Sequence, residues 1–187
     1  LKQMKNKNKG LSIEIKLPDN VNMELDGSLL TLKGPKGEVK RDFSEKNIGI
    51  ECKNSAINLK TPKFNKVNKK LIKSYAAHIN GMIKGSLEGY KYTLKICSGH
   101  FPMNVSVNNN QIIIKNFLGE KVPRTLTLKP GAMVNVEGDI VVVESPSKEI
   151  AGQVSADIEL LTRRTGYDSR IFQDGIWIVS KNDKEIK

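Results

Sequence analysis

The residues most able to do chemistry crowd into a few short stretches, and the first is KGPKGE, Lys33 to Glu38. Glycines beside lysines can cradle a phosphate. A nucleotide-binding loop, however, follows G-x-x-x-x-G-K-[ST], so that several backbone amides and a hydroxyl converge on phosphate and magnesium. Here Gly34 and Gly37 stand too close, and Glu38 follows the second glycine with a carboxylate that would repel phosphate. The stretch also leads into an alternating, strand-like segment, so no helix N-terminus lends its dipole. Histidine is scarce: His78 and His100 lack H-x-x-H or H-E-x-x-H partners. Cys52 and Cys97 form no C-x-x-C pair and read as free thiols of a reducing cytoplasm. Ser98, Ser106, Ser145 and Ser147 lack a nucleophile elbow and a paired base, and Asp157 and Glu159 point apart on a helix. The residues spell no catalytic centre, metal site or cofactor motif, and the chain reads as a non-enzyme.

The charge is more informative. The net charge is +11 at a pI near 9.6, which points to a polyanionic partner. Nucleic acid ranks ahead of a membrane surface, because no basic amphipathic anchor and no run of about 18 apolar residues occurs. Residues 1–89 hold 18 basic and 9 acidic side chains, net +9, whereas residues 90–187 hold 13 and 11, net +2. The first half is lysine-rich; the second holds Arg124, Arg163, Arg164 and Arg170, whose forked guanidinium groups suit oriented phosphate contacts. With aromatics at 5% and no aromatic-rich RNA-binding strand motif, base stacking on a sheet is not the main mode. The best interaction segment is RRTGYDSRIFQDGIW, Arg163 to Trp177, where arginines interleave with Tyr167, Phe172 and Trp177. Two readings of it stay open together. It can be a loop that orders on folded RNA, or a helix C-terminus compensated by arginines, with Phe172 and Trp177 packing as a last strand.

The elements that must position these residues are duplicated. Shifted by 82 positions, VNMELDGSLLTLKGPKGE lies over MNVSVNNNQIIIKNFLGE, so that Leu30 meets Ile112, Leu32 meets Ile114, Lys33 meets Lys115 and Gly37 meets Gly119. Thr61-Pro62 matches Ser145-Pro146 at an offset of 84, and the segment from Ser74 to Ile79 matches Gln153 to Ile158 at 79. Each copy reads as period-two strands followed by one helix. The first helix is expected from about Pro62, with Phe64, Val67, Leu71, Tyr75, Ile79 and Met82 on one apolar face and Lys63, Lys66, Lys69, Lys70 and Lys73 on the other. The second is expected to be capped by Ser145, with Pro146 in its first turn and Ile150, Val154, Ile158 and Leu161 as its stripe. The expected fold is α+β: two tandem duplicated domains, each an antiparallel β-sheet packed by one α-helix. A disordered basic tail is expected over residues 1–9, the first domain over 10–86 and the second over 87–187, joined near Gly85 to Gly89. Within the repeat, KGPKGE becomes KNFLGE. A phosphate cradle would not survive that exchange but a strand-connecting turn would, so Gly37 and Gly119 are read as turn glycines.

Six ordered motifs, KGPKGEVKRDF, AAHINGMIKG, HFPMNVSV, NFLGEKVPR, KEIAGQVSADIE and RIFQDGIWI, resemble the universal large-subunit ribosomal protein six family, called protein nine in eukaryotic ribosomes. The likeness runs from about Ile13 to Ser180 and is closer to archaeal members than to bacterial ones. It implies a structural constituent of the large subunit in the cytoplasm, without cofactor or metal. Such a protein binds large-subunit ribosomal RNA near the sarcin–ricin loop and the stalk base, beside neighbouring ribosomal proteins and the translation factors that dock there. Carried over by motif, Arg163, Arg164, Arg170, Asp174 and Gly175 belong to an RNA-facing C-terminal segment. Lys33, Lys36 and Lys115 are the basic-turn candidates for RNA contact. Tyr167 stands where the family often has a basic residue, so it is not expected on phosphate. Trp177 stands where Tyr or Phe is usual and is expected as a larger core anchor. The rival reading is a non-ribosomal RNA-binding or RNA-modifying protein.

Overall fold

The structure, a computed structural model, describes residues 3–4, 10–44, 48–53, 56–168, 170–182 and 184–186. The basic tail expected over residues 1–9 lies outside them except for Gln3–Met4, which forms a short strand, β1. The chain divides into two compact units, Leu1–Gly89 and Tyr90–Lys187.

In the first unit β2 (Ser12–Lys16), β3 (Asn22–Asp26), β4 (Leu29–Gly34), β5 (Gly37–Asp42), β6 (Gly49–Lys53) and β7 (Ala56–Lys60) precede helix α1 (Lys66–Leu87). They form two antiparallel sheets, β1-β2-β7-β6 and β3-β4-β5. In the second unit the order is β8 (Tyr90–Cys97), β9 (Asn104–Asn108), β10 (Gln111–Lys115), a 3-10 turn (Phe117–Gly119), β11 (Arg124–Thr127), β12 (Met133–Glu137) and β13 (Ile140–Ser145). Helix α2 (Lys148–Leu161), β14 (Gly175–Lys181) and β15 (Lys184–Glu185) follow. Its sheets are β11-β10-β9 and β12-β13-β8-β14-β15, also antiparallel. The α+β class and the duplication are as expected, but among the described residues each unit holds two sheets rather than one. Period-two alternation marks a strand without naming its partner.

The repeat is reproduced in the pairing itself. Met23 faces Leu32 and Leu25 faces Leu30 across β3 and β4, while Val105 faces Ile114 and Val107 faces Ile112 across β9 and β10. Leu30, Leu32, Ile112 and Ile114 are all fully buried, each worth about 1.5–3 kcal/mol of apolar transfer. The helices match as well: Tyr75, Ala76 and Ile79 of α1 are buried, and so are Val154, Ser155 and Ile158 of α2. Even the polar strand ends agree. The buried Thr61 hydroxyl donates to Leu11 O and accepts from Leu11 N, and the buried Ser145 hydroxyl donates to Gly131 O.

Three local expectations are corrected. Helix α1 starts at Lys66 behind Asn65, whose side chain accepts from Asn68 N at 2.6 Å. Phe64 therefore precedes the helix, and Phe64 and Val67 are 55% and 61% exposed. The face that packs is Asn68, Ile72, Tyr75, Ala76, Ile79, Met82 and Ile83. Helix α2 is capped by Ser147 rather than Ser145, because the Ser145 hydroxyl is already engaged at the strand end. Finally, KGPKGE and KNFLGE do not make the same turn. Gly34 pairs Gly37 in a two-residue hairpin, whereas β10 leaves through left-handed Asn116 and Leu118, and β11 pairs only from Arg124. Phe117 is 1% exposed, so its burial in the core diverts the chain away from a tight hairpin.

The first turn has a packing role too. Gly34 passes so near the end of α1 that a Cβ there would lie 2.5 Å from Ser86 O, which also accepts from Lys36 N at 3.0 Å. Among the described residues no helix is long and apolar enough to cross a membrane. Cys52 and Cys97 are unpaired and half-buried, and burial pushes the Cys52 thiol up. Among the described residues no cluster of His, Cys, Asp and Glu could hold a metal ion.

Candidate nucleic-acid interface

The segment between α2 and β14 is irregular in backbone yet heavily tied down. Helix α2 ends at Thr162, whose buried hydroxyl donates to Glu159 O and accepts from Ile176 N at 2.9 Å. The Glu159 carboxylate accepts from Ile178 N at 3.0 Å. Both ends of the loop are therefore fastened to the same helical turn, and a loop so fastened can hold side chains in fixed directions.

Arg164 reaches Glu120 at 3.2 Å and lies over the Tyr167 ring at 4.7 Å. Glu120 is itself held by Arg124 in a fork at 2.7 and 2.8 Å. Arg124 also donates to Leu161 O at 2.6 Å and covers the Phe117 ring at 4.4 Å. The arginine that compensates the C-terminus of α2 is thus Arg124, from β11, and not one of the loop's own. Hydrogen bonding from Arg124 holds the Glu120 carboxyl below the usual range against its partial burial. Tyr167 packs edge-on against Phe172, and Phe172 stacks on His100 at 4.6 Å. Asp168 accepts from Arg170 N, Nε and Nη2 at 2.8–3.1 Å, and the Arg170 hydrogen bonds lower the Asp168 pKa.

Asp174 is the deepest anchor. Its side chain is 4% exposed, and its carboxylate accepts from Gly99 N at 2.8 Å, His100 N at 3.0 Å and His100 Nδ1 at 2.6 Å. An ionised carboxylate only accepts, so Nδ1 carries the proton in that bond. Burial works to raise this carboxyl, but the hydrogen bonds from His100 and Gly99 prevail and hold it below the usual range. Gly175 is buried with φ +155°, and a Cβ there would press on Trp177 and the Thr162 hydroxyl at 3.3–3.4 Å. Trp177, expected as a core anchor, is 42% exposed, its Nε1 donating to Gln173 O at 3.0 Å. It stands on β14 with its ring outward, because the alternation of the strand gives the core-facing positions to Ile176 and Ile178. A cleft of about 430 Å³ opens between Leu118, Arg163, Arg164, Tyr167, Phe172 and Trp177.

The structure therefore brings Arg163, Arg164, Arg170, Asp174 and Gly175 into one segment but gives them different duties. Arg163 is exposed and has no carboxylate partner among the described residues. Arg164 and Arg170 each lean on one acid, and the Arg170 side chain is 87% exposed. Asp174 and Gly175 face inward and shape the loop. Lys115 is exposed at the end of β10. Lys33 and Lys36 belong to the other unit: Lys33 is paired to Glu24 at 3.0 Å, which raises its pKa, and Lys36 is exposed at the hairpin tip. Sequence spacing singles out neither Glu120 nor Thr162; Arg124 reads there as a phosphate-contact arginine, and Glu159 and His100 only as residues without a catalytic or metal-binding partner. Glu120 and Arg124 lie in NFLGEKVPR and His100 in HFPMNVSV, so the motifs carried the signal without the roles.

A family model described as Ribosomal protein L6 matches residues 17–89 and 101–175, one match in each unit. The large ribosomal subunit protein uL6 of Methanococcus vannielii is 42% identical over 171 residues, covering 91% of this chain and 94% of that protein. Its counterpart from Saccharolobus solfataricus is 43% identical over 169 residues, with 90% and 93% covered. That from Natronomonas pharaonis is 37% identical, with 91% and 97% covered. By the two matched repeats and by this identity over nearly its whole length, the chain belongs to the Ribosomal protein L6 family.

Proposed function

We propose that this chain is a structural constituent of the large ribosomal subunit, acting in the cytoplasm, and that it binds ribosomal RNA through the C-terminal segment of its second domain. Relatives named as large-subunit proteins over more than nine-tenths of their own length support a structural and not a catalytic role. The observation that carries RNA binding is the Arg163–Trp177 loop. It is stapled at both ends and rests on the buried Asp174, while Arg163, Arg164 and Arg170 stand exposed beside Tyr167 and Trp177. A polyanion gains from such a surface because the Arg164 and Arg170 guanidinium groups are oriented before it arrives, so little of their side-chain entropy is lost on contact. The acids that hold Arg164 and Arg170 leave further N–H donors for phosphate.

The binding site on the RNA lies near the sarcin–ricin loop and the stalk base, where neighbouring ribosomal proteins and translation factors approach. The domains divide the work at about residues 86–87. Lysines of the first domain supply long-range, salt-sensitive attraction, and arginines of the second supply oriented contacts. Lys33, Lys36 and Lys115 add phosphate contacts from their turns and strand ends.

The test is salt-dependent binding to a large-subunit ribosomal RNA fragment containing the sarcin–ricin loop. Replacing Arg163, Arg164 and Arg170 by Ala should weaken binding and reduce the log–log salt slope by about 2–3, at roughly 0.7–0.9 per phosphate contact. An unchanged slope would sink the assignment. In cell extract the wild-type protein should sediment with the large subunit at rising salt, and a wholly free pool would speak for a non-ribosomal RNA-binding role.

A further inference from the structure

The two helices of the duplicated units have diverged in charge while keeping the same buried face. Helix α2 carries Lys148 against Glu149, Asp157 and Glu159. Helix α1 carries Lys66, Lys69, Lys70, Lys73 and Lys84 and not one Asp or Glu over its 22 residues. Four of the five lie in its first eight residues, with no acid in the first turn. That distribution works against the helix. Cations at an N-terminus oppose the macrodipole. Lys66 also neighbours Lys69 and Lys70, and Lys73 neighbours both, at the i,i+3 and i,i+4 spacings where like charges repel.

Lys84 pairs with Glu88 at 3.5 Å, but Lys66, Lys69, Lys70 and Lys73 have no ion pair among the described residues and all are exposed. The cap holds the strain in place: Asn65 accepts from Asn68 N, and the buried Asn68 donates to Lys63 O at 2.9 Å. At 100° per residue Lys66, Lys70 and Lys73 line the side opposite Ile72, Tyr75 and Ile79, and Lys69 flanks them. They step along that side at one turn, about 5.4 Å. Phe64 and Val67, 55% and 61% exposed, lie beside them as apolar contacts for sugar or base faces.

We propose that this lysine ridge of α1 is a second RNA-binding surface, engaging the phosphates of an RNA strand, separate from the arginine loop of the other unit. An RNA backbone fits it because it brings anions at the close, regular spacing that the ridge repeats, and it relieves every repulsive pair at once. The inference rests on the reading of the chain as an RNA-binding protein but uses none of the residues of the C-terminal segment.

The experiment is a salt titration of the full chain on the same ribosomal RNA fragment, with Lys66, Lys69, Lys70 and Lys73 replaced together by Gln. The slope should fall by about 3, at roughly 0.7–0.9 per lost phosphate contact, and a fourfold Lys→Arg variant should restore it. Thermal stability should hold or rise in the Gln variant, since its removed charges only repel one another, so the lost binding cannot be ascribed to misfolding. A wild-type slope in the Gln variant overturns the proposal. So does a loss seen with polyglutamate but not with RNA, which would assign the ridge to an acidic protein. The Arg163/Arg164/Arg170 variant in the same titration keeps the two assignments apart: its failure to change the slope removes the arginine loop and leaves the ridge standing.

Discussion

Asp174→Ala is the sharpest probe of how the C-terminal segment is held. The carboxylate accepts three hydrogen bonds from Gly99 and His100, residues far away in sequence, and its side chain is 4% exposed. Removing it takes the shared acceptor from two backbone amides and the imidazole N–H, all on the exposed Gly99 and His100, which can turn in part to water. Hydrogen bonds to a charged group contribute about 1.5–3 kcal/mol, and water recovers part of that, so the net loss should be about 2 kcal/mol. For a unit of this size that lowers Tm by on the order of 8–16 °C. Asp174→Asn keeps one acceptor oxygen and should lose less. The pH dependence supplies a second readout. The Asp174 pKa is lower in the folded protein than in the unfolded chain. Its stabilisation is therefore complete above the ordinary value of about 3.9, and is lost as pH falls through the folded value. The Tm gap between wild type and Asp174→Ala should be widest near neutrality and narrow under acid. The measurement is thermal unfolding followed by circular dichroism across that range, with His100→Ala completing a double-mutant cycle. A neutral-pH loss under about 1 kcal/mol, or a gap independent of pH, would show that the carboxylate does not anchor the loop.

The other expectations follow from packing. Leu30→Ala and Ile112→Ala remove equivalent, fully buried side chains, and each should cost about 2–5 kcal/mol. Amide hydrogen exchange should show the loss chiefly in the unit that carries the substitution; equal loosening of both units would contradict the separate cores. Gly34→Ala forces a Cβ to within 2.5 Å of Ser86 O, so the KGPKGE turn must move off the end of α1 at a cost of about 1–3 kcal/mol. Chemical denaturation measures this directly, and a neutral substitution would mean that the close approach is not maintained in solution.

Much of the fold is legible in the chain because it is written twice. The offset of 82 placed Leu30 on Ile112 and Leu32 on Ile114, and all four proved to be core residues in matching hairpin registers. A repeat of this kind filters accident: apolar positions that persist in both copies are held by packing. The same comparison misled at the turn. Lys, Gly and Glu persist between KGPKGE and KNFLGE, yet one makes a two-residue hairpin and the other a buried 3-10 turn. Three matching letters do not determine a turn when Phe117 has a core to fill. The helix starts failed for a related reason, since Phe64, Val67 and Ser145 fit the local pattern and only the surrounding contacts chose Asn65 and Ser147 as caps.

The sequence by itself determined the duplication, the α+β class, the alternation that builds each core, the basic imbalance of the first half and, through six ordered motifs, the family. Local periodicity and composition carry these properties, and they survive without knowledge of which segments meet. Only the tertiary structure decided that each unit splits into two sheets. It also decided that Arg124 caps α2 from another strand, that Trp177 faces outward, and that Asp174 holds Gly99 and His100. Each of these joins residues distant in the chain, and a one-dimensional pattern holds no record of such pairings. RRTGYDSRIFQDGIW thus announces its arginines and aromatics in sequence and holds Arg170 with its own Asp168, while the Glu120 that holds Arg164 and the amides that anchor Asp174 come from elsewhere in the fold.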